Sequence, residues 1–189
     1  MSTVLTATPG QTVGPFFGFA LQVGEAHELV PPGYPGAIQL HGRVTDGEGA
    51  PVPDALLEIS QADAEGVLQK APGSLGRDGW TFTGWGRAST DPGGHYSFTT
   101  VTPGAIGPGS VPFFAVTVFA RGLLNRLFTR AYLPGCQLGR DKLLAALPAA
   151  RRQTLIAIPD EHGFRFDIRL QGDHEAEETV FLQYSGPGR

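Results

Sequence analysis

Five histidines, one cysteine and a surplus of arginine are the side chains here with the chemistry to bind a metal, attack a bond or hold an anion. The histidines are His27, His41, His95, His162 and His174. No two are spaced i, i+2 for one face of a strand or i, i+4 for one face of a helix, the spacings that aim two imidazoles at one ion. His162 and His174 flank an alternating stretch and are expected in solvent. A lone histidine such as His41 or His95 is several times more often a hydrogen-bonded structural residue than a ligand. Cys136, in LPGCQLG, has no neighbouring cation to stabilise a thiolate and is expected to be inert; a single cysteine also excludes an internal disulfide. The carboxylates of DAEGV, residues 63–67, adjoin a turn and need no acid or base role, and GWGRAS and GPGS lack the strand, turn and helix of a phosphate cradle. The basic residues are twelve Arg against two Lys, a bias that base composition explains as readily as planar carboxylate recognition. By themselves these residues mark no catalytic centre.

The wider composition narrows the classes. A chain of 189 residues with 41% hydrophobic content forms one domain with one sizeable core, and 27 Gly with 16 Pro favour many short strands over long helices. The net charge of -4, with no Lys/Arg-dense run, excludes nucleic acid as the natural partner. Residues 1–23 carry no charge, yet include Phe16, Phe17 and Phe19. Pro9, Gly10, Gly14 and Pro15 interrupt this arm, so it is neither signal peptide nor membrane span, and the sequence predicts a soluble, cytoplasmic protein without membrane contact. Large apolar side chains in such an arm call for a covering surface.

The elements that must position any site follow from period and turn chemistry. AIQLHGRVTDGEG alternates Ile38, Leu40, Gly42 and Val44 before an Asp-Gly turn, predicting a strand entering a hairpin. Leu57 and Ile59 share one face of a second strand. WTFTGWGRAST, DPGG and HYSFTTV predict a hairpin. VPFFAVTVFA is apolar on both faces, as a central strand is, and RLFTRAYL is its expected neighbour. There, alternation sets Arg126, Phe128, Arg130 and Tyr132 against Leu127, Thr129, Ala131 and Leu133. Asp141 N-caps a short helix, DKLLAAL, that stops before Pro148. FRFDIRL alternates Phe164, Phe166, Ile168 and Leu170 as a half-buried strand, and ETVFLQY is expected to be the last. The fold class predicted is all-β: a β-sandwich with one short helix and an extended N-terminal arm, residues 1–24 forming the arm and 25–189 the sandwich.

Residues 40–68, LHGRVTDGEGAPVPDALLEISQADAEGVL, resemble the signature of the intradiol ring-cleavage dioxygenases through Leu40, Gly42, Val44, Gly49, Val52, Leu57, Glu58, Ile59 and Gly66. The first strand and turn of this pattern also suit transthyretin-like sandwiches. TPGQTVGPFF, VFARG (118–122), LFTRAYL (127–133), ARRQTLIA, FRFDIRLQG and ETVF carry the resemblance over almost the whole length, toward the family's noncatalytic alpha chains. Catalytic chains of the family hold ferric iron with two tyrosinates and two histidines, the latter as an H-x-H on a strand. At the matching places this chain has Leu68, Ile106 or a close neighbour, Phe113 and Ala115, and Ser110 stands near the usual arginine.

The resemblance therefore implies a subunit that holds no metal itself. Its Fe(3+) is held by a homologous beta chain in an alpha-beta hetero-oligomer that opens 3,4-dihydroxybenzoate (protocatechuate) with O2 to 3-carboxy-cis,cis-muconate. It implies, further, that the arm reaches the partner's iron site, where Thr12, Gly14 and Pro15 wall the substrate pocket, and that Arg130 lies on the substrate's carboxylate side. Phe16 stands where many relatives have tyrosine. Two other readings remain open to the sequence: a noncatalytic transthyretin-like binding module, and a displaced metal site that recruits His41 or His95.

Overall fold

The computed structural model describes residues 12–14, 16–22, 24–69, 78, 80–135, 138–172 and 177–183. Pro15, Cys136, His174 and most of the arm lie outside them. Two sheets face each other across the main core. One contains β1 (Ala37–Thr45), and the other starts with β2 (Leu56–Ser60) and β3 (Trp85–Ser89). β4 (His95–Val101) joins the first, and β5 (Phe113–Phe119) and β6 (Leu127–Tyr132) join the second. The short β7 (Ile158–Pro159), β8 (Gly163–Arg165) and β9 (Ile168–Arg169) complete the first. The orders are β4-β1-β8-β7, with β9 also on β1, and β3-β2-β5-β6.

Alternation decides which face turns inward. Leu40 and Val44 of β1 and Tyr96 and Phe98 of β4 meet Leu57 and Ile59 of β2 and Phe114, Val116 and Val118 of β5, all buried in one cluster. Each such side chain stabilises the fold by roughly 1.5–3 kcal/mol when taken from water. A one-residue slip would turn the whole set outward, which is why the register is well determined. β5 is central in its sheet, as its composition predicts. Its second face, with Phe113, Ala115 and Thr117, is only half-buried, because it walls a cavity and does not meet a second sheet.

Several sequence expectations are corrected. The predicted β3–β4 hairpin does not form: β3 pairs with β2 and β4 with β1, so the DPGG turn carries the chain between sheets. The turn after β1 closes as a short hairpin, with Asp46 N–H donating to the Ala50 carbonyl (2.9 Å) and Val52 N–H to that of Val44 (3.0 Å), before the chain also crosses to the other sheet. A tight turn reverses direction without choosing a pairing partner; the inward side chains choose it. The DPGG turn lies against β1, where a Cβ on Gly94 would meet the Val44 carbonyl oxygen at 2.6 Å.

FRFDIRL is split into β8 and β9. At the break, Tyr96 donates to the Phe166 carbonyl, Arg43 N–H donates to Asp167 Oδ1 at 3.0 Å, and the Phe166 carbonyl occupies the space a Cβ on Gly42 would need. Residues 178–182 of ETVFLQY form no ladder. They strap the two sheets together through Thr179 N–H to the Arg169 carbonyl (3.1 Å) and Leu182 N–H to that of Phe128 (2.7 Å).

The predicted helix is α2 (Lys142–Ala146), but α1 (Phe17–Leu21) and α3 (Ala149–Gln153) add two more. Helices of five residues are too short to display a 3.6 period, so packing and not pattern stabilises them. Among the described residues no helix is long and apolar enough to cross a membrane.

Candidate functional site

β5 and β6 run antiparallel with Ala115 opposite Arg130 and Phe113 opposite Tyr132. On the face turned away from the main core they border a cavity of about 320 Å³, walled also by Leu68, Ile106, Gln61 and Leu182. The loops that carry Leu68 and Ile106 come together through a close backbone approach. Gly66 has φ +83°, and a Cβ there would lie 2.0 Å from the Ala105 carbonyl oxygen. The Asp63 carboxylate holds that turn by accepting from Glu65 N–H (3.1 Å) and Val67 N–H (2.8 Å), so the DAEGV carboxylates are turn residues here, as expected. Behind the cavity Gln61 is buried and satisfied: it donates to the Val101 carbonyl (2.9 Å) and accepts from the Thr100 hydroxyl (2.6 Å).

Leu68, Phe113 and Ala115, which the family resemblance sets at metal-ligand places, and Ile106, at or beside the fourth, thus border one cavity. Their side chains carry no lone pair to offer an ion. No group of three or more His, Cys, Asp or Glu among the described residues could hold a metal. The cavity does not fit ferric iron. His41 and His95 do not supply a substitute. The His41 Nε2 lies 2.8 Å from Asp160 Oδ2, and the His95 Nε2 accepts from the Arg43 guanidinium at 2.8 Å, so both have structural partners.

Among the described residues lining this cavity, Arg130 is the charged one. Its guanidinium lies 4.3 Å from the ring centroid of Phe113, within cation-π range. Its Nη1 donates to the Tyr132 hydroxyl at 3.0 Å and faces Asp141 Oδ2 at 3.9 Å. Tyr132 is fully buried in a second core with Val111, Leu144, Leu155 and Val180, and its ring lies 5.5 Å from that of Phe113. Burial pushes the Tyr132 phenol up; the Arg130 guanidinium pulls it back, and the Asp141 carboxylate adds to the rise. The hydroxyl therefore stays protonated throughout the neutral range. Asp141 Oδ1 caps α2 through Leu143 N–H (2.8 Å) and Leu144 N–H (3.1 Å). The sequence sets Arg130 on one face of β6 with Tyr132 and puts Asp141 at a helix start, and the alternation of Arg130 with Tyr132 was the local signal for their contact; the meeting with Asp141 has no local signal.

The arm residues lie elsewhere. Thr12 is exposed, Gly14 has φ +75° with open space around its Cβ position, and neither borders the cavity. Phe17 is buried, whereas Phe16 is 74% and Phe19 82% exposed. Phe16, at the N-cap of α1, and Phe19 on it therefore turn outward, and Phe17 faces inward. Arg87 ties α1 to β3 by donating to the Leu21 carbonyl at 3.1 Å while pairing with Glu58 across the strands.

A family model described as "Dioxygenase" matches residues 21–111. The chain is 37% identical to the protocatechuate 3,4-dioxygenase alpha chain of Burkholderia cepacia, over 95% of this chain and 98% of that one. It is 34% identical to the beta chain from the same organism, over 71% of this chain and 64% of the other. Among solved structures it resembles the dioxygenase domain of a carbohydrate-binding fusion protein from Streptomyces sp. SirexAA-E, with a TM-score of 0.58 and 26% identity over 88% of this chain and 99% of that one.

Proposed function

From the premise that this chain belongs to the intradiol dioxygenases, as an alpha subunit, we propose that it completes the substrate site of an iron-bearing beta chain acting on 3,4-dihydroxybenzoate. The family is iron-dependent; in this assembly the beta chain would hold the Fe(3+), which would supply activation of the catechol toward O2. The ring then opens between the two hydroxylated carbons to 3-carboxy-cis,cis-muconate. This chain contributes binding surface. Thr12, Gly14 and Pro15 wall the partner's pocket, Phe16 and Phe19 anchor the arm, and Arg130 meets the substrate's carboxylate.

The observation that carries this reading is the cavity between β5 and β6. Leu68, Ile106, Phe113 and Ala115 leave it without a ligand set, while an arginine with planar donors is kept at its edge. Gly14 contributes a backbone that can come close to a flat ring, because no side chain stands between. Likeness to alpha chains over nearly the full length, arm included, disfavours a free-standing binding module.

The test is purification with and without a sister chain carrying the two tyrosines and the H-x-H strand. The chain alone should be colourless and free of iron, and the co-expressed complex should contain iron, show the red tyrosinate-to-iron colour and turn over 3,4-dihydroxybenzoate. Stoichiometric iron on the isolated chain would overturn the proposal.

A further inference from the structure

The surroundings of Arg130 leave one edge of its guanidinium open, and this geometry points to how its orientation is set. Nη1 is engaged by the Tyr132 hydroxyl at 3.0 Å and faces Asp141 Oδ2 at 3.9 Å. The face of the guanidinium lies over Phe113. Among the described residues nothing accepts a hydrogen bond from Nε or Nη2. Those two atoms form the edge that binds a carboxylate with two parallel hydrogen bonds. An unrestrained arginine would swing this edge through many rotamers, and each bond to a substrate would first have to offset that lost freedom.

The two restraining groups are themselves fixed. Tyr132 is fully buried, its ring enclosed by Val111, Leu144, Leu155 and Val180, and its backbone N–H donates to the Leu155 carbonyl at 2.8 Å. Asp141 is held by its other oxygen, Oδ1, which caps α2. We propose that Tyr132 and Asp141 are positioning residues that clamp Nη1 of Arg130 so that its Nε–Nη2 edge is presented to the carboxylate of an aromatic substrate. The inference rests on the role given to Arg130 under Proposed function and adds the residues that make that arginine selective.

The test uses the assembled iron-containing complex, with iron content as the control for assembly. Three alpha-chain variants, Arg130→Ala, Tyr132→Phe and Asp141→Asn, are compared by the ratio of kcat/KM for 3,4-dihydroxybenzoate to that for catechol, which lacks the carboxylate. Phenylalanine keeps the buried ring, and asparagine keeps the helix cap, so neither change removes a structural support. Tyr132→Phe and Asp141→Asn should each lower the ratio about three- to tenfold, and Arg130→Ala at least about tenfold. In an Arg130→Ala background, Tyr132→Phe should add less than about twofold, because both changes remove one interaction.

If Arg130→Ala lowers the ratio while Tyr132→Phe and Asp141→Asn leave it unchanged, the positioning inference falls and the role of Arg130 stands. If Tyr132→Phe acts as strongly without Arg130 as with it, the inference also falls. If Arg130→Ala leaves the ratio unchanged, the reading of Arg130 fails and takes the inference with it.

Discussion

Arg130 and Phe113 together convert what the family resemblance marks as a metal position into a support for a fixed organic cation. The guanidinium needs no ligand set, only a ring face and an acceptor, and Phe113 and Tyr132 supply these. Charge-assisted hydrogen bonds from such a group to a carboxylate are worth about 1.5–3 kcal/mol. Arg130→Ala is therefore expected to raise KM for 3,4-dihydroxybenzoate by about ten- to a hundredfold, with iron content unchanged and catechol affected far less. Steady-state kinetics on the two substrates check this, and equal losses on both would assign Arg130 to the interface instead. At this scale the family resemblance was informative about identities: it sets Leu68, Phe113 and Ala115 where catalytic chains carry ligands. The sequence was silent about Tyr132 and Asp141, because the eight residues between them leave their separation in space undetermined.

The turn of residues 63–67 and the helix cap at Asp141 show how short elements place the site. Gly66 takes a left-handed conformation directly against the Ala105 carbonyl, so the loop bearing Leu68 and the loop bearing Ile106 depend on a missing side chain. Gly66→Ala is expected to destabilise the chain by about 1–3 kcal/mol, as backbone strain and a steric clash combine. A lowered denaturant midpoint with unchanged slope would register it, and an unchanged midpoint would show that the two loops separate freely. Asp141→Ala should cost about 0.5–2 kcal/mol through the lost cap of α2, whereas Asp141→Asn should cost almost nothing. Thermal or chemical unfolding of the two variants separates the capping role from the electrostatic one. The cap was legible because its signal is local. The β8–β9 break and the strap at 178–182 were not, since both arise from contacts with residues far away in the chain.

For the whole molecule, Phe16 at the start of α1 and Phe19 on it are large apolar side chains that the lone chain leaves exposed. Removing residues 1–18 should leave the sandwich folded, because the strands begin at Ala37, while lowering turnover and loosening pairing in the complex. Circular dichroism of the truncated chain and the activity of the complex reconstituted from it test both halves; full activity in a correctly assembled truncated enzyme would refute the role of the arm. The sequence by itself determined the class of fold, the inward face of β1, the shared face of Leu57 and Ile59 on β2 and the cap of α2. All of these follow from local alternation, turn chemistry or residue identity. Only the tertiary structure decided that the two turns cross between sheets, that Phe17 turns inward while Phe16 and Phe19 turn out, and that Arg130 meets Phe113, Tyr132 and Asp141. Those outcomes depend on which distant surfaces bury each other, and the free energy of that burial belongs to pairs of segments rather than to any one stretch of chain.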